Sequence, residues 1–258
     1  PAYRFQMTRI TLSQEDPWVR LYALPDERCF YSLVGGVDIA ITWPEDKKCT
    51  EETVHLEAGR LTVKEPSASV LRLPAGPLTS FTCTLPTYAA DVLLVSRIPF
   101  PAEIGTTASP GKPRWLMQEG CFNHDVGTGT HHRFVREVLT PEGYSIHCGE
   151  TLNDPGAWSS WPSHAEPEEV QRFSEHEEVF FVVTPGYGIM CCDGFYPDGT
   201  PAPRLFEISN GDAFHTPLGS HEIVFSPGDW GYYAWFYRSF LKKQYNRYAT
   251  DGVKTYVK

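Results

Sequence analysis

Residues 149–164 read GETLNDPGAWSSWPSH and end on His164. The donors that follow are Glu166, then Glu178 on an apolar run, then His221 after a Pro-Leu-Gly turn. Alternate residues of a strand share a face, so side chains from separate strands can meet inside a closed sheet. Imidazole nitrogens and carboxylate oxygens are ligands of divalent cations. The pattern therefore predicts one metal site formed by His164, Glu166, Glu178 and His221.

The composition indicates a globular all-β protein that does not bind nucleic acid. Of 258 residues, 41% are hydrophobic and 14% aromatic, and 22 Pro and 21 Gly favour short strands and many turns. The formal net charge of −10 repels nucleic acid and anionic lipid surfaces. No apolar run approaches the ~20 residues that span a bilayer. We therefore expect neither partner.

The cysteines and the N-terminus favour a cytoplasmic protein. Seven cysteines are an odd number, and the adjacent Cys191 and Cys192 lie in an apolar stretch, as expected of reduced thiols. Residues 1–4 lack the basic and apolar segments of a secretion signal.

The strand pattern predicts two barrels, residues 1–112 and 113–258. Residues 100–115 are rich in Pro and Gly and predict a connector that wraps without pairing. Residues 69–76 echo residues 212–219, but the first copy offers no histidine, so the first barrel is expected to lack metal ligands. The predicted strands are 29–34, 37–43, 60–63, 70–73 and 92–95 in the first half, and 134–139, 144–149, 178–184, 188–192, 204–208, 212–216, 222–225 and 232–237 in the second.

The run 149–160, which ends in Trp-Ser-Ser, resembles the signature of 5-deoxyglucuronate isomerase, the bicupin of inositol catabolism. More distantly it is similar to 5-keto-4-deoxyuronate isomerase. The segments 177–181, 210–221 and 231–233 match further pieces of the family pattern. The resemblance implies an all-β bicupin with two double-stranded β-helix barrels and a metal site in the C-terminal one.

By this resemblance, His164, Glu178 and His221 match three of four family metal ligands. Glu166 stands where the family has a second histidine. A carboxylate there makes the site harder and more anionic, which favours manganese, iron or magnesium relative to zinc. The expected cofactor is one divalent ion, Zn, Mn or Fe. Glu166 also lies in an acidic, solvated-looking loop, and His176, which shares strand parity with Glu178, is a rival fourth ligand.

The activity implied by the resemblance is isomerisation of an aldose to a ketose, on 5-deoxyglucuronate or a related deoxy uronic acid. A divalent ion stabilises the enediolate while a base moves one proton between adjacent carbons. The candidate catalytic groups are Glu166, if it is not a ligand, Glu150 and Tyr233.

The substrate carboxylate needs a cation, and a guanidinium can hold it through two hydrogen bonds. Arg133 and Arg136 are the candidates, on opposite faces of a regular strand, with Arg133 favoured as the inward one. Tyr232 is a further candidate substrate contact.

Two alternatives remain open. Two histidines and one carboxylate also suit a metal-dependent oxygenase. A third possibility is a catalytically inactive bicupin that binds a sugar acid, because fold alone does not fix function. The expected partner is a small-molecule sugar acid, and the chain is compatible with a homo-oligomer.

Overall fold

The structure, a computed structural model, describes residues 5–22, 27–45, 48–61, 66–67, 69–73, 80–84, 89–97, 114–116, 121–138, 146–164, 178–195, 200, 205–216 and 218–238. Within these ranges the chain forms nineteen strands and one short 3-10 helix, Gly129–His131. A search of the same ranges finds no helix with the length and apolar character that a membrane crossing requires. The predicted all-β class is confirmed.

The first half forms one nine-stranded antiparallel sheet that curls around its own core. Its central strand pairs with four others, and ten apolar residues and Cys83 fill the space they enclose. The strands are β1 Phe5–Ser13, β2 Trp18–Tyr22, β3 Glu27–Glu45, β4 Lys48–Leu61, β5 Pro66–Ser67, β6 Ser69–Leu73, β7 Ser80–Thr84, β8 Ala89–Arg97 and β9 Arg114–Leu116.

Strand β3 is the central one, and the conformation of Gly35 explains its length. The sequence predicts two strands here, 29–34 and 37–43, whereas the structure joins them through a register shift between Gly35 and Val37. Gly35 has φ of +74°, and a Cβ at this position would lie 2.0 Å from the Ala89 carbonyl oxygen. Glycine therefore lets the strand turn from one side of the barrel to the other without stopping.

Strand β9 corrects the predicted connector. Arg114, Trp115 and Leu116 pair with β6, so this part of residues 100–115 adds an edge strand to the first sheet. The first sheet accordingly extends past residue 112.

The second half forms a six-stranded sheet, in the order β10-β11-β12-β19-β14-β17, and a four-stranded sheet, in the order β13-β18-β15-β16. These strands are β10 Cys121–Val126, β11 Arg133–Val138, β12 Ile146–Asn153, β13 Trp158–His164, β14 Glu178–Val183, β15 Tyr187–Phe195, β16 Leu205–Ser209, β17 Ala213–His215, β18 Leu218–Phe225 and β19 Gly231–Arg238. The two sheets enclose a core of Phe180, Met190, Ile223, Phe225 and Tyr233, among others.

A third core lies between the barrels. The outer face of the six-stranded sheet, including Val179, Phe181 and Phe236, packs on Tyr31 and Val95 of the first barrel. Alternation along each strand therefore divides its residues between two apolar environments.

The same interface brings together two thiols from distant strands. The sulfur atoms of Cys29 and Cys148 are 4.0 Å apart, and both residues are fully buried.

Candidate functional site

A large bulge in β13 sets the position of His164. Trp158 and Ser159 pair with Val224 and Ile223, and His164 then pairs with His221. Five steps on β13 thus match two steps on β18, so three extra residues bulge out of the ladder. An odd step changes the parity of the strand, which places His164 on the same ladder row as His221.

Ser160, inside this bulge, has φ of 56°. A positive φ is strained for a residue with a Cβ, and such strain concentrates at functional sites. The family-like Trp-Ser-Ser run therefore has a conformational role in addition to its sequence match.

Glu178 and His221 meet inside the second barrel. Glu178 Oε2 lies 3.8 Å from His221 Nε2, and both residues are buried, with 7% and 5% of their surface exposed. The ring of Phe180 packs edge-on against His221 with centroids 5.6 Å apart. The pair is thus buried beside an aromatic ring. The negative charge of the carboxylate there favours the binding of a cation.

The positions of these donors fit a divalent ion. Two ligand atoms at about 2.0–2.2 Å from one ion lie roughly 3–3.6 Å apart, so a small rotation brings Glu178 and His221 to ligand distance. Among the side chains that the structure describes, no group of three or more His, Cys, Asp or Glu has metal-binding geometry. His164 is placed by its backbone, and the predicted ligand Glu166 and its rival His176 lie outside the described residues.

Cys192 pairs with His221 on the other side of β18. Burial raises the pKa of the Cys192 thiol to about 12, so without a metal it stays protonated at neutral pH.

The structure corrects the roles predicted for Glu150, Arg136 and Tyr232. All three face the first barrel and are buried, with Glu150 fully so. Arg136 Nε lies 2.6 Å from Glu150 Oε1 in an ion pair without the alignment of a hydrogen bond, and the Tyr232 hydroxyl donates to Glu150 Oε2 at 2.8 Å. Burial, and then the Glu150 charge, raise the pKa of Tyr232 well above its ordinary value. The side chains are therefore committed to the barrel interface and lie on the wrong face for the candidate site.

Arg133 and Tyr233 face the inside of the second barrel but lie away from the Glu178 end. Arg133 pairs with Asn153, at the opposite end of the strands from Val138, and its guanidinium donates to the His131 carbonyl at 3.2 Å. The hydroxyl groups of Tyr233 and Ser159 are 2.5 Å apart, deep in the core. Strand alternation correctly predicted opposite faces for Arg133 and Arg136, but the structure does not bring Arg133 next to the candidate ligands.

Three residues beside the candidate site, Tyr237, His147 and Glu137, were not predicted from the sequence. Glu178, Tyr237 and His147 form one cross-strand row, because Tyr237 pairs with Glu178 on one side and with His147 on the other. His147 Nε2 lies 3.1 Å from Glu137 Oε1. Two of these residues could have been suspected from their positions in the sequence, because His147 lies two residues before the family-like signature and Glu137 follows Arg136.

A model of the KduI/IolB family matches residues 23–251 of this chain. Members of that family are isomerases of uronate and ketodeoxy sugars. A sequence comparison with curated proteins gives no match.

Solved structures with the same fold include an IolB-like protein from Salmonella typhimurium LT2, with a TM-score of 0.67 and 18% identity over 93% of this chain and 84% of that one. Oxalate decarboxylase from Lactobacillus farciminis gives 0.58 at 10% identity, over 91% and 77%. The Bacillus subtilis oxalate decarboxylase, which has Mn(II) centres, gives 0.54 at 13% identity, over 90% and 68%. These low identities show the fold alone, and that fold is the predicted bicupin.

Proposed function

This chain belongs to the KduI/IolB family, and on that premise we propose that it is a metal-dependent isomerase that interconverts the aldose and ketose forms of a deoxy uronic acid. The proposed substrate is 5-deoxyglucuronate or a close relative, because residues 149–160 resemble the signature of that isomerase. We also propose a cytoplasmic location, where thiols such as the adjacent Cys191 and Cys192 remain reduced.

The observation that carries the proposal is the contact between Glu178 and His221. His221 in turn pairs with His164 on the neighbouring strand. These three residues would hold the ion, with Glu166 or His176 as the proposed fourth ligand. When bound, a divalent ion supplies positive charge that polarises a sugar carbonyl and stabilises an enediolate. A Mn(II) site in a protein of the same fold supports a hard metal here.

The burial of Glu178 and His221 determines what the chain contributes around that ion. Phe180 covers one side of His221, so few water molecules compete with the substrate oxygens. The Glu178 carboxylate would hold the ion and offset part of its charge. The substrate carboxylate requires a cation, and since Arg136 is committed to Glu150, we propose Arg204 or Arg238 for that role.

The test has two parts. The first is elemental analysis of protein purified without added metal, for which we expect close to one divalent ion per chain. The second is incubation with a panel of uronic and deoxy uronic acids in deuterated water, with and without oxygen, followed by NMR at C2. Metal-dependent deuterium entry without oxygen supports the isomerase, whereas oxygen consumption without exchange indicates an oxygenase.

Glu178→Gln provides the site variant and Glu207→Gln the matched control. Glu207 is exposed on β16, so Glu207→Gln should leave metal content and deuterium exchange unchanged. Glu178→Gln removes a buried anionic ligand and should lower metal content to a small fraction of the parent's. Equal metal content in the two variants would remove Glu178 from the site.

A further inference from the structure

The inner face of the six-stranded sheet carries a second set of ionisable side chains, two strands away from the candidate ligand Glu178. His147 is 3% exposed, and its Nε2 lies 3.1 Å from Glu137 Oε1. The other Glu137 oxygen is 3.9 Å from His124 Nε2. His147 also packs on Tyr237, with ring centroids 4.9 Å apart, and on Trp235 at 5.6 Å.

The position of this pair relative to Glu178 follows from the strand register. His147 pairs with Tyr237, and Tyr237 pairs with Glu178, so the histidine and the candidate ligand lie two strands apart on one row. Two strand spacings are about 9.5 Å. Both side chains point into the barrel, with Tyr237 between them on the row, so a sugar acid held at Glu178 would have to extend past the Tyr237 ring to contact His147.

We infer that His147, held by Glu137, is the group that moves the proton in the isomerisation proposed above. A carboxylate that accepts from Nε2–H fixes the tautomer, which leaves Nδ1 with the lone pair that a base needs. Glu137 is a positioning residue in this arrangement, because it acts through His147. The inference rests on the proposed function and names the base that the function requires.

The proton step balances without a further reactant. His147 Nδ1 takes the proton from C2, the C2–H electron pair forms the C1–C2 double bond, and the negative charge moves to O1. The O2 hydroxyl proton then passes to O1. Finally the double-bond pair takes the proton from His147 at C1 while C2–O2 becomes a carbonyl, so the imidazole returns to its neutral form.

The experiment compares the parent with His147→Gln, Glu137→Gln and a matched control, His55→Gln. His55 makes a similar contact with Asp38, at 2.6 Å, but on the outside of the first barrel. For His147→Gln we expect kcat to fall by about 10²–10⁴-fold, as for loss of a general base, with metal content unchanged and KM changed much less. Glu137→Gln should lower kcat by a smaller factor. The control should match the parent.

A second readout does not depend on turnover. Nitrogen-15 NMR of histidine-labelled parent protein should show His147 protonated on Nε2, and Glu137→Gln should shift that signal. Addition of glucuronate to the metal-loaded parent should shift His147 and leave His55 unchanged. If His147→Gln does not fold, Glu137→Gln, which keeps the shape of the side chain, decides by the same kinetic and NMR criteria.

The outcomes separate the two proposals. An active parent with an equally active, metal-replete His147→Gln variant overturns the role of His147 and leaves the isomerase intact. A metal-loaded parent that is inactive on every acid of the panel overturns both. A His147 signal that shows Nδ1 protonated also overturns the assignment, even if the enzyme is active.

Discussion

The two barrels share a β architecture and differ in what they bury. Of the buried polar or charged side chains that the structure describes, Arg28 and Ser32 lie in the first half, and the others lie after residue 130. The enclosed core of the first barrel is apolar apart from a thiol, whereas the second barrel encloses Glu178, His221 and His147. Since burial of ionisable groups costs free energy, the second barrel bears a cost that the first avoids, as the proposed site requires.

The register shifts of the two barrels differ in the residue that has positive φ. In β3 the residue with positive φ is Gly35, which adopts that conformation at little cost. In β13 it is Ser160, which does not. Each barrel thus has a residue with positive φ at a register shift, at little cost in one and with strain in the other. The strained shift is next to the candidate ligand His164.

The largest expected effect would test whether the interface between the barrels depends on its buried ion pair. Arg136→Met leaves the Glu150 carboxylate buried without its cation, which should lower the free energy of unfolding by about 3–5 kcal/mol. The double variant Arg136→Met/Glu150→Gln removes both charges and keeps an acceptor for Tyr232, so most of that loss should be recovered. Urea unfolding followed by tryptophan fluorescence measures both.

The control for the ion pair is Arg9→Met in the first barrel. Arg9 contacts Asp91 at 2.6 Å, but 49% of its side chain is exposed. Exposed pairs contribute little, so we expect a loss of about 1 kcal/mol. Equal losses for Arg9→Met and Arg136→Met would show that burial does not set the strength of these pairs.

The next effect would sharpen the comparison between the register shifts at Gly35 and Ser160. Gly35→Ala forces a Cβ against the Ala89 carbonyl at a positive φ, and should destabilise by about 2–4 kcal/mol. Ser160→Gly removes the strain but adds chain entropy to the unfolded state, so stability should change by less than about 1 kcal/mol. Thermal unfolding of the two variants checks the ranking. A larger loss from Ser160→Gly than from Gly35→Ala would contradict it.

The smallest effect is a pH dependence from His132, whose imidazole lies 2.5 Å from both Asp154 and Asp125. The hydrogen bond to Asp154, and then that to Asp125, raise the pKa of His132. Because the folded pKa is raised, the stabilisation is fully present below the unfolded pKa of about 6.5 and is lost as the pH rises through the folded value. Melting temperatures between pH 5 and 9 should show this slope in the parent and a weaker one in His132→Gln.

The sequence predicted the strands that contain a long run of apolar residues. It did not predict strands in which about half of the residues are polar. Strands such as β14 and β19 carry continuous apolar or aromatic residues and were predicted within a few residues. Strand β1 alternates between buried and exposed residues along FQMTRITLS, so its apolar content is diluted. Strand β13 contains a proline and three serines, and its propensity alone does not indicate a strand.

The candidate site was predictable from its residue types, but its partners were not. Regular alternation puts Ser159 and His164 on opposite faces, and only the β13 bulge places His164 opposite His221. Alternation also separated Arg133 from Arg136, yet it could not say that the face of Arg136 meets Tyr31 from the first barrel. Such a contact depends on how two sheets pack, about which local sequence carries no information.

The core between the barrels has a consequence for the second barrel on its own. The six-stranded sheet carries Glu178 on one face, and its other face carries Val179, Phe181 and Phe236. Exposed on its own, such a surface promotes aggregation. The first barrel therefore covers this face. Its sequence is free to drift wherever it does not contact that face.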